Sequence, residues 1–208
     1  AIGIMLAIGG LSHGIFEILQ GSTPTGGVFI DAIGPDHIQW EWGGEAALTL
    51  IPNFLITGLV VVAICATVVV WSLGYVHKKN GPTVFILLFV ALFLTGGGIA
   101  QLVFFLPAWG VASRINKPLT WWRKVIPQKL RPDMGKIWPY TLAIAVVSFL
   151  IGLYIAITGI VPGFNITDAD TILAVCWSFI FGGGWLMIMV TYLSGFADDI
   201  ERHIQQES

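Results

Sequence analysis

The chain has 208 residues, 56% hydrophobic and 11% charged, with a net charge of −2 and a mean hydropathy of +0.84. Soluble domains carry about a quarter charged residues, so this composition cannot cover a water-facing surface and predicts a membrane protein. With ten Lys and Arg against twelve Asp and Glu, nothing in the charge points to nucleic acid.

In lipid the backbone must satisfy its own hydrogen bonds, so long apolar runs read as helices. Five runs approach or exceed the ~20 residues a crossing needs: residues 1–20, 45–75, 83–109, 138–161 and 172–196. The expectation is an all-α polytopic bundle of about five transmembrane helices, a single domain over residues 1–208. The first run lacks a basic flank and a small-residue cleavage pattern, so it reads as a span and not a signal peptide. It carries His13 and Glu17, which share one helix face. Ionisable groups at membrane depth are costly and face a partner or a cavity. Three uses are open for this pair: structural glue between helices, a proton-handling or ligand site, or a metal site.

The connector that follows holds DHIQWEWGGE, in which His37, Glu41 and Glu45 recur every four residues. Gly43-Gly44 delays the next helix to Glu45, where a first-turn carboxylate suits the helix dipole. With His13 and Glu17 these residues match metal ligands in type, but no recognised ligand spacing is present, and no metal ligand is assigned. Pro52-Asn53 falls inside the second run and frees a backbone carbonyl there. Asn53 and Gln101 are therefore candidates to line the same cavity as Glu17.

Two runs of three glycines interrupt the third and fifth segments, at residues 96–98 and 182–184. Either they let helices approach closely, or they break a helix beside a ligand cavity, or they belong to a re-entrant turn. Basic residues cluster in the loop 110–137: Arg114, Lys117, Arg123, Lys124, Lys129, Arg131 and Lys136, against Asp133 alone. The positive-inside rule makes this loop and the C-terminus cytoplasmic. Five crossings would turn Lys78 and Lys79 outward. A re-entrant hairpin over residues 83–109 would return them to the basic side. The length of that run favours a full crossing. Trp121-Trp122 beside Arg123-Lys124 reads as an interfacial anchor meeting anionic lipid.

Asn165-Ile-Thr167 is a short glycosylation sequon. Thr167 or Asp168 caps the fifth segment. Cys65 and Cys176 sit in apolar runs and read as small buried residues. No phosphate loop, nucleophile elbow or haem-attachment motif appears, and the sequence names no cofactor.

His13-Gly-Ile-Phe-Glu17 resembles the His-x-x-x-Glu element of the emopamil-binding, sterol-isomerase-like membrane family (the EXPERA group). Glu45 is similar to the second carboxylate near the start of that family's next helix, and GGGIAQLVFFLPAW to its following helix. The resemblance implies a small helical bundle with a lipophilic pocket, in which His13, Glu17 and Glu45 transfer protons and Trp177 forms an aromatic wall.

Three functions remain after this reading. The first is a pocket for a lipophilic molecule or lipid, with Glu17 handling a proton, His13 relaying it and Glu45 as second carboxylate. The second is a non-catalytic subunit packed on partner helices or on its own copies. The third is a small transporter.

Overall fold

The computed structural model describes residues 1–99, 101–115 and 117–207. Four apolar stretches form helices long and apolar enough to cross a membrane: Ile2–Leu19 (α1), Phe54–Gly74 (α2), Arg131–Thr158 (α6) and the continuous rod Ala169–Gln206. The count is four and not five because the third run breaks. It folds as α3 (Gly81–Leu94) and α4 (Gln101–Ala112), of 14 and 12 residues, each too short to cross alone. Between them the backbone takes positive φ at Gly96 (110°) and Gly98 (96°), a conformation that ends a right-handed helix. Phe89 and Phe105 stack at 5.7 Å, so the chain turns back on itself.

The chain divides into two compact units, Ala1–Asn116 with Ile157–Gly159, and Lys117–Ala156 with Ile160–Ser208. In the first, α1 lies along α2. Small residues make the approach close: a Cβ on Gly14 would reach the Gly58 carbonyl at 3.1 Å, and one on Gly10 would reach Cys65 Sγ at 2.9 Å. The connector between these helices is not helical at Glu45, as the sequence suggested. It forms a short antiparallel ribbon, β1 (Phe29–Asp31) with β2 (Ala46–Leu48), pairing Ile30 with Ala47. Helix α2 begins only at Phe54. Pro52 lies ahead of it, and Asn53 is its N-cap, accepting from the Ile56 N–H at 3.2 Å. The connector then meets the 95–98 tip of the α3–α4 hairpin: Leu50 N donates to Leu94 O at 3.0 Å, and Thr49 bridges Thr95.

In the second unit the basic loop is partly structured. Trp122 of helix α5 (Thr120–Val125) and Ile126 just after it pack against Phe196, Ala197 and Ile200 of the rod. Arg131 holds this elbow from inside: its Nε donates to Ile126 O at 3.0 Å and its Nη2 to Arg123 O. The rod runs through α7 (Ala169–Trp177), nine residues of wider π-type turns (Ser178–Leu186) and α8 (Met187–Glu207). At ~1.5 Å per residue its 38 residues exceed a bilayer core, and its last turns carry Asp198, Asp199, Glu201 and Arg202.

Candidate functional site

Helical periodicity puts Gly10, His13 and Glu17 on one face of α1. Each meets a different piece of the first unit. Gly10 faces Cys65 of α2 and the amide of Gln101 from α4. His13, 7% exposed, directs Nε2 at Glu45 Oε2, 3.0 Å away. Glu17 is fully buried. The glycine tip closes over both ionisable groups. A Cβ on Gly98 would stand 3.0 Å from the His13 ring and 3.2 Å from Glu45 Oε1, and one on Gly96 would strike the Glu17 carboxylate and the Thr57 methyl. The tip backbone approaches this closely because residues 96 and 98 have no side chain. Gln101 anchors the turn by donating to the Gly97 carbonyl. Thr49 and Thr57, both buried, pair hydroxyls at 3.1 Å beneath it.

The hydrogen-bond ledger of this cluster is open. Glu17 Oε1 and Oε2, His13 Nδ1 and Gln101 Oε1 are buried without a partner. An ionised carboxylate only accepts, so in the His13–Glu45 pair Nε2 carries the proton, and in the neutral ring Nδ1 is a bare acceptor. The four orphan atoms are thus acceptors, provided Glu17 is ionised. Native interiors satisfy nearly all such groups, with protein or with bound water. The first basic residues in the sequence are Lys78 and Lys79, so α1, the connector and α2 carry no Lys or Arg. Glu17 also occupies the last turn of α1, the negative end of its dipole. The arrangement suits a proton or a donor-bearing group.

The sequence candidates separate cleanly. His13, Glu17, Glu45 and Gln101 converge. Asn53 does not join them: its side chain caps α2 and donates to Ser22 Oγ at 3.1 Å. Trp177 belongs to the second unit, 51% exposed and stacked on Phe181 at 5.1 Å. That unit has an apolar cavity of about 240 Å³ lined by Ile151, Val161, Phe164, Val175 and Phe179 among others. The four-residue stripe of His37, Glu41 and Glu45 does not form, because residues 32–45 contain no helix. His37 sits edge-on to Phe16 at 6.3 Å and Glu41 is exposed. Among the described residues no three His, Cys, Asp or Glu side chains are grouped to hold a metal ion. Sequence reasoning missed Gly96, Gly98, Thr49 and Thr57 as parts of the site. The glycine run was visible, but nothing in it told which side chains it would cover.

No family model, curated protein or solved structure matches this chain.

Proposed function

We propose that the chain is a multi-pass membrane protein whose first unit binds a small lipophilic molecule by its polar group and exchanges a proton with it through Glu17. The observation that carries this reading is Glu17 itself: a fully buried carboxylate with two unpaired oxygens, one turn from His13 and beneath a backbone tip. Buried carboxylates without partners are expensive, and they persist where a function uses them.

The topology that goes with it has α1, α2, α6 and the rod crossing, while α3 and α4 enter and leave by the same face. Counting crossings then puts all ten Lys and Arg residues on one face, Lys78 and Lys79 included. Asp31, Asp36, Glu41, Glu45, Asp168 and Asp170 fall on the other. By the positive-inside rule the basic face, with the C-terminus, is cytoplasmic. Five crossings would split the basic residues between faces.

Gly96 covers Glu17 so closely that a bulky ligand reaches the carboxylate only when the tip moves aside. Native mass spectrometry of the protein extracted gently from its own membrane is the test. A bound small molecule, retained by the wild type and lost or no longer turned over in Glu17→Gln, is the expected result. Full binding and turnover in Glu17→Gln overturns the reading. The non-helical tip, held within the unit where α4 returns, also favours transport as a second reading, since transporters place broken backbone at their substrate sites. Uptake by reconstituted vesicles that is lost in Glu17→Gln distinguishes it.

A further inference from the structure

Three ionisable side chains of the first unit form a steep gradient of access. The Glu45 side chain is 46% exposed, that of His13 8%, and Glu17 is fully buried. Glu45 stands in the connector outside α1 and α2, just ahead of β2, and touches His13 Nε2 at 3.0 Å. His13 presents its other ring nitrogen, unpaired, inside the unit where the Glu17 oxygens are also unpaired. A ring with one nitrogen on an accessible carboxylate and the other bare inside is the geometry of a proton relay.

Among the described residues, the opposite direction along α1 has no equivalent relay. Beyond Gly10 the helix buries Ala7, Leu6, Met5 and Ile2, and the neighbouring α2 and α3 bury Val68, Phe85 and Phe89. Among the described residues, the next buried side-chain oxygen or nitrogen without a partner on that side, Ser72 Oγ, lies level with Gly3. Seven residues of helix, ~10 Å, separate that level from Gly10.

We infer that Glu45 and His13 form the proton inlet of Glu17, open only to the face that carries the α1–α2 connector. This rests on the reading that Glu17 exchanges a proton. In release, the Glu17 O–H proton passes to His13 Nδ1 through a water between the two groups, which do not touch directly, the Nε2 proton passes to Glu45 Oε2, and connector-side water removes it from Glu45. The ring is left as the Nδ1–H tautomer. Uptake is the reverse and restores the Nε2–H tautomer that the contact with an ionised Glu45 requires, so a full cycle needs no other reactant. The titratable groups facing the relay are Glu45 from the connector, Glu17 on α1 and Cys65 on α2, which faces Gly10 one turn below His13. The hairpin contributes Gly96 and Gly98 backbone and the Gln101 amide.

The test uses the whole chain in vesicles sorted for one orientation by the reactivity of Lys78 and the basic-loop lysines toward an impermeant amine reagent. The infrared band of the protonated Glu17 carboxyl is identified by its loss in Glu17→Gln, or by its displacement in Glu17→Asp where the first variant does not accumulate. After a pH jump in one compartment, the band is expected to follow the connector-side pH alone. Glu45→Gln keeps an acceptor for His13 but cannot carry the proton, and should slow the response about a hundredfold. A band that follows the basic-face compartment, or a wild-type rate in Glu45→Gln, overturns the inlet and leaves Glu17 as a titrating group. Absence of any band attributable to Glu17 overturns the inlet and the proposed proton exchange together.

Discussion

The two runs of three glycines have the same composition and opposite effects on the chain. At residues 96–98 the helix stops. The Leu92 carbonyl accepts both the Thr95 and the Gly97 N–H, at 3.3 and 2.9 Å, and Gly96 and Gly98 take positive φ. At residues 182–184 the rod continues through wider turns and no positive φ appears. The first run exploits the backbone freedom of glycine, the second only its missing side chain. Gly183 lets α6 come close: a Cβ there would strike the Ser148 side chain. Four residues further along α6, Gly152 receives Ile180 in the same way, and its carbonyl accepts from Cys176 Sγ at 3.4 Å. Close packing needs a helix on the other side of the glycine. A chain reversal needs none, but it exposes a backbone tip that something else must cover, and in the first unit His13, Glu17 and Glu45 do so.

The largest effect should therefore come from the first run. Gly96→Ala adds a methyl against the Glu17 carboxylate at a φ of 110°. Backbone strain and overpacking together should cost about 2–5 kcal/mol, read as a lowered thermal midpoint in detergent. Gly98→Ala, against the His13 ring, should behave alike. If either alanine left the midpoint unchanged, the tip would not lie as close over Glu17 and His13 as Gly96 and Gly98 place it. In the second run, Gly183→Ala should cost less, about 1–3 kcal/mol by overpacking alone. Adding Ser148→Gly should recover part of that loss, because the two sites are in contact and couple. No recovery would mean that the backbone of the rod, and not its distance from α6, is what Gly183 serves.

How much of this was legible in the sequence differs between the runs for the same reason. Composition and run length predicted a helical chain of membrane type, and α6 (131–158) and the rod (169–206) overlap the runs 138–161 and 172–196 but begin before them, the rod also ending ten residues beyond its run. Run length failed at residues 83–109, because it counts apolar residues and is blind to the dihedral angles glycine adopts. It failed again at residues 45–53, where Glu45 looked like a helix start and is instead the residue ahead of a strand. The site shows the same division. His13 and Glu17 were visible as polar residues in an apolar helix. Glu45 was chosen for a helical position it does not occupy, yet meets His13 through the ribbon. Gln101 reaches the cluster only because α4 folds back. Asn53, chosen by the same argument, became a cap. Long-range contacts of this kind depend on where a turn reverses, and one sequence carries little of that.

Gly182 isolates the smaller half of the contrast. A Cβ there meets nothing within 4 Å, in a segment that keeps helical φ. Gly182→Ala should raise stability by about 0.5–1 kcal/mol through the lower backbone entropy of alanine in the unfolded chain. A loss in this variant would show that residue 182, like Gly183, is covered by another helix in the native membrane, and would favour the subunit reading.

The smallest effect lies where the rod begins. Asp168 caps α7, its Oδ2 accepting from the Thr171 N–H at 2.9 Å and from the Thr171 hydroxyl at 2.6 Å. These bonds favour the charged form and hold the carboxyl below the usual aspartate range. A group whose pKa is lower in the folded state stabilises fully at pH above its unfolded value. That contribution fades as the pH falls through the folded value. The thermal midpoint of the wild type should thus drop slightly on acidification below the normal aspartate range. Asp168→Asn, which keeps an acceptor for the cap but has no charge to lose, should flatten that part of the profile. The side chain is fully exposed, so solvent screens the difference. Equal acid slopes in the two proteins would mean that the cap sets where the rod starts without contributing to its pH dependence. The contrast between the glycine runs would then rest on backbone geometry and packing alone.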